Sequence, residues 1–459
     1  MNVAVIGAGW AGLAAAVALK QAGSHVTVFE ASGTPGGRAR GISDIQLGTI
    51  DNGQHLMLGA YTESLALIQQ LSSEVPEHAL FVRLPLTLES ADGSFRLRAP
   101  HLIAPVHLAW ALSCAKGLTL NDRARALRMA VTIRRKNWTA STGQSVRELL
   151  SEHKQSDTLI RRLWEPLCLA ALNTPLEEAC AQLFLNVLRD GLGGVRKHSD
   201  LIIPRVDLSS LWPSVAAQHV TMRYRHIVRE VKPDQHGVYV DGEHFDACVL
   251  AVPPYAARRI LAECLDSTDS DCVALRHLLE RFDYRAIATV TLQLDRPWAP
   301  PTPLMMLDEN KASHQYGQWV FTRADQPDQV TVVVSDTPDL LKVDRDTLID
   351  AISSQIRSQC LKHPKASSAL PDVVHHRLIV EKRATFNACI GLQRPGTETR
   401  WPTLVLAGDW TDTGYPAVLE GAVRSGLRAA ESVLKNGATH AGFEQSSNLR
   451  MSALKTRAD

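Results

Sequence analysis

Residues 2–30 read NVAVIGAGWAGLAAAVALKQAGSHVTVFE, and this stretch decides the fold. Asn2 to Ile6 is a short apolar run, the pattern of a buried strand. Gly7-Ala8-Gly9-Trp10-Ala11-Gly12 follows as a G-x-G-x-x-G. Leu13 to Ala22 is built of helix formers, and Gly23 stops that helix. His25 to Phe29 forms a second strand that ends at Glu30. The whole is one β-α-β unit, the setting in which the glycine pattern binds a dinucleotide. Gly7 makes the tight turn, Gly9 admits a pyrophosphate to the backbone, and Gly12 lets helix and strand pack closely. The helix N-terminus presents unpaired N–H groups and partial positive charge to the phosphates. Glu30 is placed to accept hydrogen bonds from a ribose diol, and its charge disfavours a 2′-phosphate.

Working outward, Ala31 to Arg40 reads ASGTPGGRAR. Gly36 and Gly37 permit another close backbone approach, and Arg38 is placed to meet a phosphate. A plain nicotinamide dehydrogenase has no need of this second loop. Near the other end, Thr403 to Leu406 reads as a strand, followed by Ala407-Gly408-Asp409-Trp410-Thr411 and a helix start at about Tyr415 to Gly421. Between these ends, Ile227 to Val231 and Gly237 to Val240 alternate like strands. They lead into Ala247 to Pro254, ACVLAVPP.

These motifs together resemble the flavin-containing amine oxidase and phytoene desaturase superfamily. The resemblance implies an α/β fold, a Rossmann-like FAD-binding domain interleaved with an α+β substrate domain. It divides the chain into an FAD-binding domain of 1–75, 205–262 and 395–436, a substrate domain of 76–204 and 263–394, and a disordered tail from 437 to 459. It implies FAD as cofactor. The FAD site would comprise Gly7, Ala8, Gly9, Trp10, Ala11 and Gly12, then Glu30, Ala31, Gly36, Gly37 and Arg38. Asn52, Gly53, Gln54 and His55 pass near the flavin. Val228 contacts the adenine. Gly408 and Asp409 meet the ribityl or pyrophosphate region, and Val418 and Leu419 open a helix aimed at the pyrimidine edge.

Asp51 to Tyr61 reads DNGQHLMLGAY. With Leu163 to Pro175 and Thr413 to Ala417, it is similar to the squalene-associated desaturase branch, whose characterised activity is hydroxysqualene dehydroxylation. That branch implies a lipophilic polyprenoid alcohol, with hydride passing from reduced flavin to an allylic cation to give squalene, a sterol and hopanoid precursor. His55 and Asp51 are the candidate catalytic groups, His55 as a cationic acid at neutral pH. Glu165 is an outside candidate, expected to pair with Arg161 or Arg162. Two alternatives stay open. One is a carotenoid-type desaturase running hydride the other way. The other is a non-enzymatic prenyl-binding escort of the same fold, against which Glu30, the G-G-R loop and Asp409 argue.

Composition bounds the remaining classes. The chain has 459 residues, 49 basic and 48 acidic, for a formal net charge of +1. Such a balance gives no support to nucleic-acid binding, and the length allows two or three domains. The eight cysteines include no C-x-x-C pair, there is no H-E-x-x-H and no metal site is expected. They read as reduced thiols of a cytoplasmic protein. Asn121 to Trp138 concentrates Arg123, Arg125, Arg128, Arg134, Arg135 and Lys136 against Asp122. Interleaved apolar residues make it a candidate for peripheral contact with the inner face of the membrane.

Overall fold

The computed structural model describes residues 1–459 apart from 235, 267, 324, 336–342 and 456–459, and without the side chains of 438–455. The expected tail lies, beyond Gly437, outside the described side chains.

A parallel sheet forms the first layer. Strands β1 (Asn2–Ile6), β2 (His25–Glu30), β3 (Thr221–Tyr224) and β4 (Ala247–Leu250) are joined by a last strand, Leu404–Leu406, in the order β3-β2-β1-β4-last. Three widely separated stretches of chain therefore build one sheet. Helix α1 (Trp10–Gln21) crosses from β1 to β2. It is buried on most of its circumference because the sheet lies on one side and the final helix, Leu419–Lys455, on the other. Its run of Ala14, Ala15 and Ala16, all fully buried, keeps both neighbours close. Each fully buried Leu13 or Leu19 adds about 1.5–3 kcal/mol of apolar transfer to this layer.

Close approach is built in by glycine. Gly7 has φ +103°, and a Cβ on Gly12 would stand 1.9 Å from the Gly7 carbonyl oxygen. A Cβ on Gly426 of the final helix would stand 2.1 Å from the Ala11 carbonyl oxygen. The turn and both of its helical neighbours are thus fitted backbone to backbone.

One strand expectation shifts. Ile227 to Val231 is not a strand; the sheet receives Thr221–Tyr224 instead, pairing Tyr224 with Glu30. Arg225 takes the left-handed conformation, φ 56°, which ends the strand. The chain then returns over β2 through His226 N–H to the Glu30 carbonyl, 2.9 Å. The strand resumes only at Val231–Pro233.

The second layer is an antiparallel sheet. Strands β5 (Tyr284–Leu294), β6 (Leu304–Met306), β7 (Trp319–Arg323), β8 (Gln326–Ser335) and β9 (Val373–Phe386) run in the order β6-β7-β8-β5-β9. Ala288, Val290 and Leu292 of β5 alternate inward, fully buried. Behind them packs the helix Arg345–Cys360, with Ile352 and Ile356 fully buried. Helices Val106–Ser113, Leu120–Arg135, Glu165–Leu172 and Ala181–Leu192 supply the remaining walls around the space between the layers. A π-helical turn, Ile160–Trp164, precedes Glu165. Such widened turns recur at functional sites, and here Leu163 and Trp164 reach the central cavity.

Candidate functional site

A cavity of about 940 Å³ runs between the two layers. At one end its wall is the glycine turn, with Gly7, Gly9, Trp10 and Ala11. Glu30, Ala31, Gly36, Gly37 and Arg38 continue that wall. Asn52 to His55, Val228, Gly408, Asp409, Val418 and Leu419 complete the polar end. The structure thus gathers the dispersed sequence candidates around one space. Ala8 and Gly12 stand just behind this wall. Gly12 is pressed against Gly7, and Ala8 takes part through its backbone.

The cradle fits a dinucleotide. No side chain caps helix α1, so its first-turn amides face the cavity without an internal acceptor. A Cβ on Gly37 would meet Gly9 Cα at 3.0 Å; the two loops touch with no side chain between them. Glu30 Oε2 accepts from Ala8 N–H and Oε1 from Ser32 N–H, both at 2.7 Å. These bonds fix the carboxylate at the end of β2, and each oxygen keeps a lone pair for a ribose hydroxyl.

Arg38 and Asp409 turn out to be partners. Arg38 Nη2 donates to both Asp409 oxygens at 2.7 Å, and Nη1 donates to the Ala384 carbonyl at 2.7 Å. Burial works to lower the Arg38 pKa, but the Asp409 carboxylate outweighs it and the net shift is upward. The separate roles read from sequence are therefore joined in one ion pair that still lines the cavity.

His55 lines the cavity, with Nδ1 2.9 Å from the Gly53 carbonyl oxygen. That geometry places the proton on Nδ1 and leaves Nε2 as an acceptor. Burial lowers its pKa below the ordinary histidine value, and nearby Arg38 pushes the same way. The expectation of a cationic His55 at neutral pH is corrected accordingly: the imidazole is neutral.

Asp51 is not among the cavity-lining residues. It ends a strand, Gly48–Asp51, and its Oδ1 accepts from Leu208 N–H at 2.8 Å. Burial pushes its pKa up to about 7, with Asp207 adding to the rise. Glu165 also lies outside the lining, and its counter-charge is Arg147, not Arg161 or Arg162. Arg162 instead donates to the Ser94 carbonyl at 3.0 Å.

Beyond the cradle the cavity turns apolar. Leu86, Leu88, Leu97, Leu108, Met129, Ile133, Phe184 and Leu188 are among its walls. Two polar spots interrupt this surface. Tyr415 donates its hydroxyl to Asp190, and both line the cavity. Asn173, left-handed at φ 49°, donates Nδ2 to Thr385 Oγ1 at 3.0 Å. Asn173 and Tyr415 belong to quoted motifs. Asp190 and Thr385 carried no sequence signal, since each becomes part of the site only through a partner more than two hundred residues away. Trp410 donates Nε1 to the Val252 carbonyl at 3.0 Å and packs edge-on to Phe282. Among the described residues it makes no ring contact with Tyr415, so no aromatic sandwich forms here.

Glu420, fully buried, plays a structural part. It accepts from Ser64 N–H at 3.0 Å, Ser64 Oγ at 2.8 Å and Arg424 Nε at 2.8 Å. It clamps the start of the helix Thr62–Leu71 onto the final helix.

Comparison with known proteins agrees with this construction. The chain is 33% identical over 458 residues to a hydroxysqualene dehydroxylase of Rhodopseudomonas palustris, covering 95% of this chain and 99% of that one. It is 27% identical over 455 residues to a hydroxysqualene dehydroxylase of Zymomonas mobilis, covering 94% and 99%. The cyclohexylamine oxidase of Brevibacterium oxydans has the same fold, with a TM-score of 0.68 at 16% identity over 95% of this chain and 98% of that one. A family model described as flavin containing amine oxidoreductase matches residues 10–434. The glycine cradle, the fixed Glu30 and a match spanning nearly the whole chain lead to one conclusion: the protein belongs to the flavin containing amine oxidoreductase family, whose members are FAD-dependent oxidoreductases.

Proposed function

We propose that the protein is a hydroxysqualene dehydroxylase, converting a polyprenoid allylic alcohol to the hydrocarbon. The observation that carries this reading is the continuity of the dinucleotide cradle with a long aliphatic cavity. Full-length similarity to two hydroxysqualene dehydroxylases supports it. In this reading 1–75, 205–262 and 395–436 form the FAD-binding domain, and 76–204 and 263–394 enclose the substrate.

Bound and reduced, FAD supplies the hydride. The chain's own residues do the rest. The first-turn amides of α1 and Glu30 hold the pyrophosphate and the ribose. The Arg38–Asp409 pair fixes the two loops that meet over the cofactor. The aliphatic walls excise water from around an allylic cation, which water would otherwise capture. The hydroxyl departs as water and needs one proton in doing so. His55, neutral with Nε2 free to accept, suits orientation of that hydroxyl better than its protonation. Asp51, behind the wall, serves the fold.

The test is anaerobic incubation of photoreduced holoenzyme with hydroxysqualene. Squalene formation with flavin reoxidation is expected. Inertness toward hydroxysqualene, with oxidised enzyme turning over a polyene precursor, would instead identify a carotenoid-type desaturase.

A further inference from the structure

The basic helix singled out in the sequence forms part of the cavity wall. Leu127, Ala130, Val131 and Arg134 of Leu120–Arg135 line the cavity, and so do Pro105, Leu108, Ala109 and Leu112 around Val106–Ser113. Several of these residues belong equally to the outer surface. Val131 is 50% exposed, and Pro105, Ala109, Ala130 and Arg134 are exposed as well. The apolar cavity therefore opens to the outside between these two helices.

The surface around that mouth is unusual for a water-facing one. Ile103 is 78% exposed, Trp110 56% and Leu120 79%, and Val106 also stands out of the fold. Scattered exposed apolar residues are ordinary, but a contiguous group of this size marks an interaction site. Positions 120, 124, 128, 131 and 135 share one helix face at i, i+3 and i+4 spacing. That face carries Leu120, Ala124, Arg128, Val131 and Arg135, all exposed.

The charges around it are of one sign. The helix's acidic residue, Asp122, is buried in the capping box with Thr119 and accepts from Ser156 Oγ at 2.6 Å. Arg123 and Arg125 reach the Ser113 and Lys154 carbonyls, and Lys136 pairs with Glu152 at 3.1 Å. Among the described residues no ion pair holds Arg128, Arg134 or Arg135. An apolar tip with unpaired cations beside it complements an anionic bilayer, whose headgroups take the cations and whose acyl region takes the tip. A protein partner would need matching acidic side chains and would close the mouth; a bilayer leaves it open to lipid.

We infer that the two helices dock the protein on an anionic lipid bilayer, with the mouth of the cavity facing the acyl region. Ile103, Val106, Trp110 and Leu120 enter the interface, and Arg128 and Arg135 sit at headgroup level. A hydrophobic molecule then passes from bilayer to cavity without crossing water. The inference stands on surface chemistry and is independent of the substrate assigned above. No helix among the described residues is long and apolar enough to cross a membrane, so the association proposed is peripheral.

The experiment is flotation of the holoprotein with vesicles rich in phosphatidylglycerol, against vesicles of phosphatidylcholine alone. The expected result is flotation with the anionic vesicles and at least tenfold weaker partition onto the neutral ones. Arg128→Glu with Arg135→Glu should lower partition onto anionic vesicles at least tenfold. Ile103→Asp with Trp110→Asp should do the same. All four positions are exposed, so retained flavin absorbance and circular dichroism check that each variant folds. A second readout uses Cys114, exposed at the end of Val106–Ser113. An environment-sensitive dye there should shift to the blue on adding anionic vesicles. Wild type that stays with the soluble fraction overturns the inference. So does equal binding to both lipids, or undiminished flotation of either double variant.

Discussion

Arg38 Nη2 stands 2.7 Å from both carboxylate oxygens of Asp409, across 371 residues of sequence. The pair ties the loop after β2 to the loop after the last strand of the parallel sheet. The same guanidinium holds the Ala384 carbonyl, which adds the end of β9. Asp409→Asn removes the charge from this junction and should lower stability by about 1.5 kcal/mol, with a matching fall in flavin retained through gel filtration. Arg38→Lys should behave similarly, because a lysine lacks the fork that reaches two acceptors at once. Retention equal to wild type in both variants would remove the pair from the binding site.

Glu30 accepts from the Ala8 and Ser32 amides. Glu30→Ala strands the part-buried Ala8 N–H, a change of about 1–3 kcal/mol, and deletes the ribose acceptor. The expected outcome is apoprotein with a lowered Tm. Glu30→Gln keeps an acceptor oxygen and should retain flavin at an intermediate level. Absorbance of the purified proteins measures both.

Asp51 has a pKa pushed up to about 7 by burial. The native state therefore binds more protons than the unfolded state between about pH 4 and 7, and stability falls as pH rises through that window. Asp51→Asn keeps an acceptor for Leu208 N–H and removes the charge. The variant should gain about 1–2 kcal/mol over wild type at pH 8 and nearly nothing at pH 4. Thermal melts at the two pH values decide it; equal differences at both would mean that Asp51 ionises freely.

His55 shifts in the opposite sense, its pKa lowered by burial. The unfolded state then binds more protons once pH drops below about 6.5. The His55 contribution is complete above that value and is lost as pH falls toward the folded-state pKa. His55→Gln should flatten the decline in Tm between pH 7 and 5. A decline as steep as that of wild type would show that His55 titrates normally.

Gly426 faces the Ala11 carbonyl oxygen, where a Cβ would stand at 2.1 Å. Gly426→Val must part the final helix from α1 and shift the turn that starts at Gly7. A loss of more than about 3 kcal/mol is expected, seen as insoluble or flavin-free protein. Soluble, flavin-replete Gly426→Val would show that the two helices can separate without disturbing the cradle.

Much of the fold was legible because its signals are local. The strand, the glycine turn, α1 and Glu30 are fixed by steric demands within one short stretch. The strand β5 and the helix Arg345–Cys360 were legible through their periodicity. The strand Thr221–Tyr224 was not, because it is a partly exposed edge with no alternation. The left-handed Arg225 that ends it gives no warning in composition.

The sequence by itself determined the cofactor cradle and the family of folds, since close backbone approach requires glycine at set spacings and ribose recognition requires an acid at a strand end. Tertiary structure alone decided which side chains face one another. It joined Arg38 to Asp409 and Tyr415 to Asp190, turned Asp51 out of the cavity, and made His55 neutral by burying it. It also set the mouth of the cavity beneath the basic helix. Charge state, pairing and access depend on distances through space, and these exist only once the distant segments have packed.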